Sequence, residues 1–188
     1  MRKLPIKFFL LLITFYILHC ILYVSVHASE TDIGYSRITP ASPFYFLKTI
    51  REDLELKLAG TPHVKLIREL EFATVRIREV RSLVAVNQDL IVPTLENYQA
   101  ILKNISQEPD LDTHIAVLMQ VYDNASNLNA KMAIRSSLNK LILREDVSKA
   151  SKLSICNLFY REASSSSLNQ TEKFVLLGRA QKCQNSNK

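Results

Sequence analysis

The sequence predicts an all-α protein: an elongated bundle of about six helices behind an N-terminal signal or anchor helix. Three observations carry this. Apolar residues recur at three- and four-residue steps through most of the chain, and no period-two stretch of useful length appears. The 188 residues include only three glycines, Gly34, Gly60 and Gly178, too few for the tight turns of a multi-hairpin β fold. The apolar fraction, 47%, suffices to bury a core. The same scarcity of glycine excludes a P-loop, a dinucleotide fingerprint and any glycine-rich phosphate cradle.

The first element is an address. Arg2, Lys3 and Lys7 precede an almost wholly apolar run from Phe8 to Val26, and no acid occurs before Glu30. Cations followed by an apolar run form the export pattern, with the positive end left in the cytoplasm. Val26-His27-Ala28 places short or small residues before a cut between Ala28 and Ser29. Two outcomes stay open. Residues 1–28 are a cleaved signal peptide, or residues 8–26 remain as a single-pass anchor, since such a run spans roughly 28 Å of a ~30 Å hydrocarbon core. Either way the remainder is extracytoplasmic. Arg2, Lys3 and Lys7 supply three of the six net positive charges. The exported part is therefore too weakly basic to imply a nucleic-acid partner, though attraction to an anionic envelope polymer stays open.

Residues 29–42 form a polar linker. Ser42-Pro43 gives an N-cap and a first-turn proline, so a helix follows to about Ala59, with Leu47, Ile50, Leu54 and Leu58 on one face and Gly60 after its end. Thr61-Pro62 repeats the start signal. The second helix carries Leu66, Leu70, Ala73, Ile77, Val80 and Val84 at helical spacing to about Val86, and the short break implies an antiparallel hairpin. Asn87 to Val92 is a second break. Pro93 opens a third helix that ends near Glu108-Pro109. Asp110 and Asp112 suit the N-terminus of a fourth, whose stripe from Leu111 to about Leu143 makes a rod roughly 45–50 Å long. That rod is why the bundle is expected to be elongated. Glu145-Asp146 caps a fifth helix through Leu153, Ile155, Leu158 and Phe159. Ser164 to Ser167 interrupts the pattern, and a last short helix lies around Glu172 to Leu177. The organisation is thus a targeting segment (1–28), a linker (29–42), a helical module (43–107) and a long helix with a C-terminal hairpin (108–188).

The stretch Pro40-Ala-Ser42-Pro43-Phe44-Tyr45-Phe46-Leu47-Lys48-Thr-Ile50-Arg-Glu52 resembles the entry motif of a bacterial and archaeal family, domain of unknown function 5667. In that family a second helix follows with an alanine, then arginine and glutamate three apart, matched here by Ala73, Arg76 and Glu79. The resemblance covers about residues 38–105. It implies an exported or membrane-linked helical module and no established activity, so no catalytic residue is carried over. Thr61-Pro62-His63 departs from the charged helix start the family leads one to expect.

Few constellations suggest chemistry. Cys156 and Cys183 are the two cysteines of the exported part, an even pair that reads as a disulfide outside the cytoplasm. Two straight helices meeting at the serine loop set the cysteines at different heights, so the bond forms easily only if Gly178 ends the last helix or the tail folds back; two thiols and an intermolecular bond stay open. His63 and His114 stand in different helices without metal-ligand spacing, so no metal or cofactor is expected. Asp110 and Asp112 read as helix-capping acids before calcium ligands. No serine occupies a Gly-x-Ser-x-Gly elbow, and Glu69 and Glu71 lie on different sides of their helix. Arg68, Arg76, Arg78 and Arg81 form a candidate cationic strip, with pairing to Glu69, Glu71 and Glu79 as the plainer account. Phe44, Tyr45 and Phe46 form a candidate contact patch, or else pack on the second helix as a continuation of the Leu47–Ile50 face. Asn104, Asn124 and Asn169 are acceptors only in a glycosylating pathway.

The expected function is a non-enzymatic binding or structural module of the cell envelope or extracellular space. Its first hairpin would dock an unknown protein or envelope polymer. The alternative is an envelope chaperone or stress sensor that binds unfolded chains through an exposed apolar patch of several hundred Å². A hydrolase would need His63 or His114 beside a serine or an acid in a concave pocket.

Overall fold

A computed structural model describes residues 33–164 and 170–185. Among them are seven α-helices, one 3₁₀ turn and no strand: α1 (Tyr45–Lys57), α2 (Pro62–Val86), η1 (Gln88–Leu90), α3 (Ile91–Leu102), α4 (Leu111–Asn124), α5 (Leu128–Leu141), α6 (Lys149–Ala163) and α7 (Gln170–Asn185). The targeting segment, including the expected cut between Ala28 and Ser29, lies outside the described residues. Among those described, no helix is long and apolar enough to cross a membrane.

The helix starts follow local chemistry. Thr61 accepts from the Val64 N–H, and Pro62 sits where its missing N–H costs nothing. Asn127 caps α5 through Ala130 N, and Ser148 caps α6 through Ser151 N. Asp146, expected as that cap, is instead taken by Arg144 and by the Glu108 N–H. Asp112 falls in the first turn of α4, where acidic charge meets the dipole.

α2 is the central element, packing against α1, α3 and α4; α3 and α4 both pack on α5, and α6 packs against α4 and α7. One apolar cluster joins Ala73, Ile77, Val80 and Leu83 of α2 to Leu95 and Tyr98 of α3, Ile115 and Leu118 of α4, Ile134 and Leu138 of α5, and Phe159 of α6. The core therefore crosses residue 107 without a break.

Three expectations need correction. The rod from Leu111 to Leu143 is two helices, broken at Ala125-Ser126-Asn127. The cause is Gln88, whose Oε1 accepts from Ser126 N at 2.9 Å and Asn127 N at 2.8 Å, removing both N–H groups from the helical ladder. Asn127 Nδ2 also donates to Asp89 Oδ1 at 2.6 Å. Two helices of 14 residues each stand where the single long rod was expected to make the bundle elongated. Second, α3 starts two residues before Pro93, through η1, and ends at Leu102 well short of Glu108. Arg144 holds the chain there, donating to the carbonyls of Leu102 (3.2 Å) and Ile105 (3.1 Å). Third, the last helix is not short. It runs through Gly178, where a Cβ would meet nothing within 4 Å, so glycine there imposes no break.

Candidate functional site

The site begins with an inversion in α1. An apolar stripe on an amphipathic helix is expected to face the core, yet Leu47 (54%), Ile50 (53%), Leu54 (50%) and Leu58 (80%) are exposed, and Phe46 beside them is 57% exposed. No α1 residue belongs to the apolar core cluster. The polar side of the helix is the buried one: Glu52 is 5% exposed, and Tyr45 and Lys48 are half-buried.

The partners on α2 explain this. Arg76 and Glu79 lie three apart on the face toward α1, and the Glu79 side chain is fully buried. Arg76 Nη1 donates to both Glu79 oxygens at 2.8 Å and to the Tyr45 hydroxyl at 2.8 Å. Tyr45 Oη in turn donates to Glu79 Oε2 at 3.1 Å. Lys48 pairs with Glu79, and Arg76 pairs with Glu52. Two cations thus meet two carboxylates in a neutral cluster, the arrangement that makes buried charge tolerable. Burial acts first to raise the Glu52 carboxyl above the usual range, against Arg76 and Lys48, which lower it. Burial also raises the Tyr45 hydroxyl, assisted by Glu79. For Arg76 burial works downward, and the Glu79 and Glu52 charges outweigh it. Glu52 Oε1 is the one oxygen of the cluster that is buried without a hydrogen-bond partner among the described residues.

The structure scatters the other candidate residues. Phe44 (63%) and Phe46 stand in solvent while Tyr45 turns into the cluster, so the three aromatics do not act as one patch, and of the three Tyr45 is the one held against α2, through Arg76 and Glu79. The four arginines do not gather into a strip: Arg76 is buried in the cluster, Arg68 pairs with Glu71 at 2.6 Å, Arg81 stacks on Tyr35 at 4.4 Å, and Arg78 lies near His114. His114 is fully buried; its Nδ1 meets Tyr98 Oη at 3.1 Å and its Nε2 meets Thr74 Oγ1 at 3.3 Å. Burial, then the Arg78 charge, pushes it down to about 4. His63 is exposed at the start of α2. Among the described residues no group of three or more His, Cys, Asp or Glu is placed to hold a metal. A cleft of about 450 Å³ between α3 and α5 offers one carboxylate, Glu96, and neither histidine nor cysteine. Cys156 is buried on α6, whereas the Cys183 side chain lies outside the described residues.

Sequence reading missed Lys48 and Glu52 as site residues. The signal was present: a charged residue at each of positions 48 and 52 on one side of α1, with Arg76 and Glu79 three apart on α2. What misled was the assumption that the apolar side of an amphipathic helix faces inward.

Both halves of the cluster lie within residues 37–153, which match the family model described as a domain of unknown function (DUF5667). The chain belongs to this family. The DUF5667 match runs from the segment before α1 into α6, beyond the 38–105 stretch that carries the resemblance. No curated protein and no solved structure matches the chain.

Proposed function

We propose that this DUF5667 chain is an exported, non-enzymatic interaction module of the cell envelope or extracellular space, and that α1 is its docking element. The observation that supports this is the inversion of α1. A helix fixed by its charged side, with Phe46, Leu47, Ile50, Leu54 and Leu58 turned outward, leaves unburied side chains each worth about 1.5–3 kcal/mol on burial. A contact surface accounts for that expense. The chaperone alternative draws on the same patch but fits less well, because the apolar residues form a ridge on one helix and an extended chain is better held in a groove.

The export reading rests on the sequence of residues 1–28, and a further part of it is the Cys156–Cys183 disulfide. Cys156 is fully buried on α6, as a structural cysteine is held. Intact mass after alkylation should rise only when reduction comes first, and the polypeptide should be recovered outside the cytosol on fractionation. For docking, a photoreactive residue at Ile50 should give adducts in the native envelope, whereas one at exposed Glu96 on α3 should not. Equal labelling from both positions would count against α1 as the contact.

A further inference from the structure

We infer that the outward ridge of α1 rests on a lipid bilayer surface. This deepens the docking reading and depends on it. The tether argues for the occupant. The apolar run of the sequence ends at Val26, and Ile33 is already buried in the helical unit. The few residues between them reach at most about 25 Å when fully extended. The chain beyond Ile33 is then pinned to α2 and α1: Ser36 N donates to Ser82 Oγ of α2 at 2.8 Å, and Lys48 Nζ of α1 donates to the Ile38 carbonyl at 3.4 Å. Where residues 8–26 are kept as the single-pass anchor, no more than that length of chain separates the bilayer from Ile33.

The composition of the surface agrees. Tyr35, Ile38, Phe44 and Phe46 are exposed around the first turn of α1, the aromatic and apolar types that settle at a membrane interface. The ridge of five side chains presents on the order of 500 Å², below the roughly 800 Å² per partner of a standard protein interface but ample for a helix lying about 5–10 Å into the headgroup boundary. Its rim is close to neutral. Arg51 pairs with Glu55 at 3.1 Å and Lys57 with Asp53 at 2.5 Å, so apolar contact, not headgroup charge, carries the association. Pure phosphatidylcholine should therefore suffice.

The chain contains no tryptophan, which makes a single reporter clean. The full chain carrying Ile50→Trp, Leu54→Trp or the control Glu96→Trp is reconstituted into phosphatidylcholine vesicles, with and without dibrominated acyl chains. All three positions face solvent, and circular dichroism checks that helicity is kept. The bromines should quench Ile50→Trp and Leu54→Trp by about twofold or more, consistent with shallow insertion, and leave Glu96→Trp unchanged. Equal emission from all three variants overturns the lipid occupant. So does a concentration-dependent blue shift without lipid, which assigns the ridge to a second copy. Photo-adducts to a protein from position 50 without quenching overturn the lipid occupant and keep the docking reading; neither adducts nor quenching overturns both.

Discussion

Replacing Arg76 by methionine tests whether α1 is held by charge. Arg76 serves Glu79 through Nη1 and Glu52 through Nη2, so the substitution leaves two buried carboxylates with Lys48 as their remaining cation. Deleting one partner of a buried pair costs about 3–5 kcal/mol. The location of that cost follows from the packing. α1 contributes nothing to the apolar core, and α2 to α6 share that core without it. The penalty should appear as local undocking of α1, not as global unfolding. At 1.36 kcal/mol per decade, the opening equilibrium of α1 shifts by about two to four decades. Hydrogen exchange read by mass spectrometry should show residues 45–57 losing protection by that factor while residues 111–124 keep theirs. Arg76→Met combined with Glu52→Gln should recover part of it, since one unpaired charge is gone. Protection lost equally in both segments, or unchanged in α1, would refute the reasoning.

Three further outcomes follow. Burial raises Glu108 to about 7 and lowers His114 to about 4. The Glu108 burden is absent below about pH 4.5 and complete above about 7, while the His114 burden is absent above about 6.5 and grows as pH falls toward 4, so the two flatten each other. Glu108→Gln should stabilise by about 1–3 kcal/mol at pH 7.5, by almost nothing at pH 4.5, and leave a stability that falls with acid; urea titrations with the same increment at both pH values would contradict this. Gln88→Ala should lower stability by about 1–2 kcal/mol in thermal melts, because it strips acceptors from Ser126 and Asn127, which hold the α4–α5 corner. Phe159→Ala, at 1% exposure, should cost about 3–5 kcal/mol in denaturant titration, whereas Ile50→Ser, at 53%, should stay within about 0.5.

The sequence by itself determined the helical class and the starts of α2 and α4. Thr61-Pro62, and the stripe Ala73, Ile77 and Val80, are local signals, set by capping chemistry and by the 3.6-residue period, and the structure keeps them. The family motifs were equally legible, because they are short runs of residue types. Two things were decided only by the tertiary structure. One is the corner between α4 and α5: an unbroken helical stripe gives way there because Gln88, 38 residues earlier, competes for its backbone N–H groups. The other is which side of α1 faces in. Periodicity places Leu47, Ile50 and Leu54 on one face and Lys48 and Glu52 on another, but it carries no information about what waits on α2. Arg76 and Glu79 offered the charged side a complete set of partners, and that long-range match, invisible along the chain, turned the apolar side outward.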